Sequence, residues 1–113
     1  MIYNVLLGNT DDHSRNHAII YDFAQKHWRL SPAFDVLPIN SSKQHGIGIG
    51  DKGRQGSVDN LLSQSKRFGL KAFKAKKMVD DVMQLIAEWP VYFGRLGVGA
   101  GDIERLKLIL PEF

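Results

Sequence analysis

Hydrophobic and polar positions divide the 113-residue chain into three stretches. The first, residues 2–37, opens on an apolar run, Ile2 to Leu7, that stops at Gly8-Asn9. After a polar cluster come AIIYDF (18–23) and HWRLS (27–31), flanking Ala24-Gln25-Lys26. Two short segments rich in β-branched and aromatic residues, joined so closely, predict a β-hairpin. Residues 38–56 are rich in Gly, Ser, Asn and Lys and predict a loop, with one short strand in GIGIG (46–50). From residue 57 the period becomes helical. Ser57 is the expected N-cap of VDNLLSQSKRF, and Gly69 its stop. A longer helix is expected from Lys71 to Trp89, where Ala75, Met78, Val79, Val82, Leu85, Ile86 and Trp89 recur at i, i+3, i+4 spacing. Pro90 ends or kinks it. Gly94, Gly97, Gly99 and Gly101 then predict a loop, and Asp102 the N-cap of a last helix whose Ile103, Leu106, Ile109 and Leu110 share a face. Met78, Met83 and Trp89 read as core positions. The expected fold is mainly α with a small β-hairpin.

Composition narrows the picture. A chain of 113 residues is one domain or part of one, and 43% hydrophobic residues suffice for a core. With no cysteine there is neither a disulfide framework nor a thiolate metal site. No stretch approaches the ~20 apolar residues that span a bilayer, and the first residues lack the basic segment of a signal peptide. A cytoplasmic protein without a membrane partner is expected. The net charge of +3 resides largely in LKAFKAKK (70–77), which reads as a solvated helical face. No aromatic residues are interleaved in a sheet-like pattern to stack bases, so direct nucleic-acid binding is not expected.

The chemistry lies in NTDDHSRN (9–16). Protein kinases work from a loop H-R-D-x-x-x-x-N followed by a metal-binding Asp in a separate element. Asp11 and Asn16 stand five apart here, the hairpin follows, and an isolated acid, Asp35, comes next in SPAFDVLP (31–38). A hydroxyl nucleophile needs a carboxylate within reach to take its proton. Magnesium needs hard oxygen ligands, which an amide and a carboxylate supply. Arg15 could neutralise charge on the transferred phosphate. Asp12 competes for the base role but stands four residues from Asn16, so Asp11 is preferred. Alone, Asp11-Asp12-His13 would read as an Asx turn or a helix cap. Two histidines, His13 and His17, are too few to argue for zinc with Asp11. His27 and His45 are expected at the surface. Tyr21, Phe23, Trp28 and Phe34 are expected to pack the hairpin. Gly48-x-Gly50-x-x-Gly53 satisfies G-x-G-x-x-G, yet it follows the acidic loop and reads as a turn.

These residues resemble the C-terminal lobe of the HipA-type serine/threonine kinases, toxins of bacterial toxin–antitoxin pairs. The family's stretch is approximately N-x-D-x-H-x-K/R-N, a hairpin, then L-x-P-x-[YF]-D-x-x-P. Asn9, Asp11, His13, Arg15, Asn16, Leu30, Pro32, Phe34, Asp35 and Pro38 match it. GIGIGDKGRQ resembles the family's strand-and-glycine segment, and NLLSQSKRFGL with the following helix its helical tail. The resemblance implies a protein-kinase-like C-lobe, a helical bundle spanning residues 1–113. Residues 9–38 would hold the catalytic loop, the hairpin and the metal-binding Asp, and residues 57–113 the helical tail. It implies ATP and magnesium as cofactors, with Asp11 as base and Asn16 and Asp35 as magnesium ligands. His13 would brace the loop or touch the metal-binding acid, and Arg15 would lie near the transferred phosphate. The implied partners are a helix-turn-helix antitoxin and a cytosolic protein substrate.

Only ten residues precede Asp11, whereas a kinase places its phosphate-covering loop and a Lys–Glu pair before the catalytic loop. The chain is therefore expected to be a truncated lobe, with little activity alone. A separate N-lobe chain or a homo-oligomer would complete it. The alternative function is a non-catalytic interaction module that binds an antitoxin or an N-lobe partner.

Overall fold

The amino-terminal apolar run folds as helix α1 (Ile2–Leu7), which buries Leu6 and Leu7. Gly8 ends it with φ 70°, a left-handed conformation that costs glycine little. The chain is seen here as a computed structural model that describes residues 1–39 and 43–110. Residues 40–42 of the expected loop and 111–113 of the expected tail lie outside it. A 3-10 turn over Ser14–Asn16 closes the acidic loop and leads into β1 (Ile19–Asp22). β1 pairs antiparallel with β2 (His27–Leu30), with Ile19 opposite Leu30 and Tyr21 opposite Trp28. The connecting turn is held by Asp22, whose Oδ1 accepts from the backbone N–H groups of Ala24 and Gln25, both at 3.0 Å. Such side-chain-to-backbone bonds make Asp a turn residue.

The glycine-rich segment forms no strand at GIGIG, contrary to expectation. Gly50 makes a single isolated bridge with Gly53 across a tight turn, and Gln44 another with Gln55. Glycine gains little from an extended ladder and has no side chain to pack there. Gly48-x-Gly50-x-x-Gly53 is accordingly that turn. The ends of the segment are tied, since Gly56 N–H donates to the Lys43 carbonyl at 2.7 Å.

Ser57 caps α2 (Val58–Ser63), its hydroxyl accepting from Asn60 N–H at 3.3 Å. The expected single helix continues as a 3-10 segment, Ser65–Phe68, and stops at Gly69 with φ 67°. Helix α3 (Ala72–Ala87) buries Ala75, Val79 and Ile86, three of the periodic apolar positions. Ile86 joins Leu6 and Leu7 in the core, with Ile2, Val58, Val82, Met83 and Leu110 packed around them. Met83 is thus a core position, while Met78 remains 40% exposed. On the outer face Lys76 pairs with Asp80 and Lys77 with Asp81 at i, i+4 spacing.

The end of the chain departs from expectation in two respects: a helix occupies part of the expected glycine loop, and Asp102 is not the N-cap of the last helix. Pro90 does end α3, but a new helix, α4 (Trp89–Arg95), starts there with proline in its first turn. Proline suits that position because its missing N–H has no partner to lose. Gly94 is therefore helical. The last helix, α5 (Ala100–Lys107), is capped by Gly99, with Asp102 in its first turn and Gly101 inside it. Mainly α with a small hairpin is the architecture among the described residues.

Candidate functional site

The acidic loop is built outward from Asn9, which is 2% exposed. Its backbone N–H donates to the Asn4 carbonyl at 2.8 Å, tying the loop to α1. Its side-chain Nδ2 donates to Asn4 Oδ1 and to the Asp35 carbonyl, each at 3.4 Å. A residue at the head of the loop thus grips the segment 26 positions later that carries the isolated acid. Asp35 has φ 53°, a conformation that costs a non-glycine residue about 1 kcal/mol or more.

Asn16 closes the loop, its Nδ2 donating to the Asp11 carbonyl at 3.3 Å. That leaves Asn16 Oδ1 as the free acceptor of the amide. Asn16, Asp35 and Asp12 line one cavity of about 260 Å³, whose wall also includes Leu30 and Phe34. Of the predicted site residues, the fold brings together Asn16 and Asp35. Asp11, His13 and Arg15 are outside the cavity lining; Asp11 and Arg15 are exposed, and His13 is half-buried with a hidden Nδ1 that makes no hydrogen bond.

Asp12 behaves unlike its neighbour. It is 1% exposed, and neither carboxylate oxygen is hydrogen-bonded. His17 Nε2 approaches Asp12 Oδ1 to 3.4 Å, while His17 Nδ1 lies 3.2 Å from the His13 carbonyl. A carbonyl and a carboxylate both accept, so whichever ring nitrogen carries the proton donates to its neighbour.

Behind Asp12 is His45, which the sequence had suggested would be at the surface. It is 2% exposed. Burial holds its pKa below the ordinary histidine value, opposed by the Asp12 charge and by a hydrogen bond with the Asn9 backbone. Two glycines make room for this packing. A Cβ at Gly46 would stand 2.9 Å from the Asp12 carbonyl oxygen, and one at Gly56 only 2.5 Å from His45 Nε2. Gly46 N–H donates to the Thr10 carbonyl at 2.9 Å, so the glycine-rich segment covers the acidic loop. The burial of His45 left one signal in the sequence, the glycines beside it.

The cavity gathers oxygen donors of the kind a hard cation takes: the Asn16 amide, the exposed Asp35 carboxylate and the buried Asp12 carboxylate, which makes no hydrogen bond but has His17 at 3.4 Å. No group of three His, Cys, Asp or Glu residues suited to a metal is present among the described residues. Fold and site together define a helical lobe that carries an acid–amide loop beside an amphipathic hairpin. The HipA-like C-terminal domain family matches residues 1–89, and the chain belongs to that family. No curated protein and no solved structure matches it. No helix among the described residues is long and apolar enough to cross a membrane.

Proposed function

We propose that the chain is the C-terminal lobe of a HipA-like serine/threonine protein kinase, serving phosphoryl transfer from Mg-ATP to a protein hydroxyl. The observation that supports this reading is the cavity shared by Asn16 and Asp35, residues that only the loop–hairpin–acid order relates in sequence. Membership of the HipA-like family supports it further. On this reading Asn16 Oδ1 and the Asp35 carboxylate hold magnesium, which supplies charge neutralisation on the phosphates when bound. Asp11 takes the hydroxyl proton as the substrate oxygen bonds to the γ-phosphorus and ADP departs. Its exposure suits that role, because a base acting on a protein hydroxyl must be reachable from outside; Asp12, at 1% exposed, is not. Arg15, also exposed, would neutralise the charge that develops on the transferred group. His13 would brace the loop or touch the metal-binding acid. The substrate is a cytosolic protein, and the regulatory partner a helix-turn-helix antitoxin.

On this reading the described residues would provide a base, two oxygen ligands and an arginine. A kinase takes its lysine and phosphate-covering loop from an N-lobe, so residues 1–113 tested by themselves should transfer little phosphate. The test is a phosphotransfer assay with labelled Mg-ATP, with and without the N-lobe of a HipA-like kinase. Transfer should require the added lobe and should fall about 10²-fold or more in Asp11→Asn. Transfer that survives Asp11→Asn would remove the base from the account. Robust transfer by the lone chain would contradict its dependence on a second lobe.

A further inference from the structure

Two neighbouring side chains close the acidic loop. Asn16 Nδ2 donates to the Asp11 carbonyl at 3.3 Å, and one residue along His17 Nε2 lies 3.4 Å from Asp12 Oδ1. Both links join residues five positions apart, so Asn16-His17 is laid against Asp11-Asp12 by a parallel pair of contacts. The His17 ring also reaches the His13 carbonyl, 3.2 Å from Nδ1. It therefore stands between two acceptors of the loop, and in either neutral tautomer it donates to one of them.

The two ends of the second link differ. Asp12 is 1% exposed, and the glycine-rich segment passes so close that a Cβ at Gly46 would stand 2.9 Å from its carbonyl oxygen. The His17 side chain is 41% exposed. Asp12 is the fixed end, and His17 ties the residue beside it to that anchor. A buried carboxylate without a hydrogen bond lowers stability, which an apolar contact closing the same loop would not do. Asp12 and His17 line the cavity of Asn16 and Asp35, so what the costly pair offers in return lies at the site.

We propose that His17 is a positioning residue for Asn16, held between Asp12 and the His13 carbonyl so that Asn16 Oδ1 stays free for a cation; the proposal rests on the kinase reading of the site. Asn16 Nδ2 is already bonded to the Asp11 carbonyl, so a loop that opens at residue 17 carries the whole amide away from its place. Groups behind a metal ligand orient it, and their loss ordinarily weakens metal binding about 10–100-fold. His17 acts through Asn16 and takes no part in the transfer itself.

Two measurements on the purified chain test this. Calorimetric titration of ATP at a series of magnesium concentrations gives the magnesium needed for half-maximal binding, which should rise about 10-fold in His17→Phe. ATP affinity at saturating magnesium should change far less. His17→Gln, whose amide can donate to either acceptor, should restore most of the loss. Hydrogen exchange at the Asn16 side-chain amide, followed by NMR without nucleotide, should quicken about 5-fold in His17→Phe, the equivalent of one net hydrogen bond. The Asn60 amide, buried in α2, should keep its rate. If far-UV circular dichroism shows His17→Phe unfolded, His17→Ser decides in its place. An unchanged magnesium requirement in a chain that binds Mg-ATP overturns the proposal, as does unchanged exchange at Asn16. Equal quickening at Asn16 and Asn60 overturns it too, by making His17 a general support of the fold. A wild-type chain that binds no Mg-ATP ends the kinase reading instead, and exchange at Asn16 then decides alone whether His17 holds the amide.

Discussion

Replacing Asn60 by alanine should cost about 3 kcal/mol of stability, a large share of the 5–15 kcal/mol that holds a typical domain folded. Asn60 is fully buried, at 0% exposure. Its Oδ1 accepts from Lys52 N–H at 2.8 Å, and its Nδ2 donates to the carbonyls of Gly53 at 3.1 Å and Gln55 at 2.7 Å. These bonds tie the tight turn of the glycine-rich segment to α2, and that segment also carries His45 against the acidic loop. Lys52, Gly53 and Gln55 are themselves exposed, so water replaces the lost partners and the full desolvation penalty does not apply. Each bond then contributes its net value of about 1 kcal/mol. In urea the midpoint should fall by roughly 2 M, taking a slope of about 1.5 kcal/mol per molar for a domain of this size. Asn60→Asp is the sharper variant. It keeps the acceptor for Lys52 but turns a carboxylate toward two carbonyls, so it should destabilise at least as much as alanine. A loss below about 1 kcal/mol for alanine, or an aspartate variant milder than alanine, would refute the view that Asn60 holds the turn.

Gly50→Ala should also destabilise, by about 1–3 kcal/mol in the same assay, because its Cβ would stand 2.1 Å from the Asn60 carbonyl oxygen and 2.3 Å from Ser63 Oγ. His45 predicts a pH dependence. Its pKa is lowered in the folded chain from the ordinary 6.5, so as pH falls the unfolded chain takes up the proton first. The histidine's contribution is therefore complete above about pH 6.5 and is lost as pH drops below it, by at most about 1.4 kcal/mol per pH unit. Denaturant midpoints across that range should show the slope, and His45→Gln should flatten it. Lys76→Ala should change stability by no more than about 0.5 kcal/mol, since both partners of its pair with Asp80 are more than half exposed.

The hairpin was legible from composition and the long helix from its period. Two short β-branched and aromatic segments placed β1 and β2 within a residue of their observed ends, and the i, i+3, i+4 spacing picked out Ala75, Val79 and Ile86. Helix α4 was missed because four glycines in eight residues outweighed a proline at a helix start, although Trp89-Pro90 is the ordinary signature of a first turn. His45 was missed for a different reason. Its burial comes from tertiary contact through Gly46 and Gly56, and a loop residue has no period that would betray it. Asn60 likewise looks like any polar residue in a first helical turn. Of the candidate site, the pairing of Asn16 with Asp35 was readable from loop, hairpin and acid in order. The burial of Asp12 beside an exposed Asp11 was not, because adjacent identical residues differ only in which way the backbone turns them.

Calorimetric titration of Mg-ATP into the purified chain, with Asp35→Ala as the control, tests the central claim most directly. The account predicts binding that needs both magnesium and Asp35. Absence of binding by a folded chain, or binding indifferent to magnesium and unchanged in Asp35→Ala, would contradict it, and the interaction-module reading would take its place.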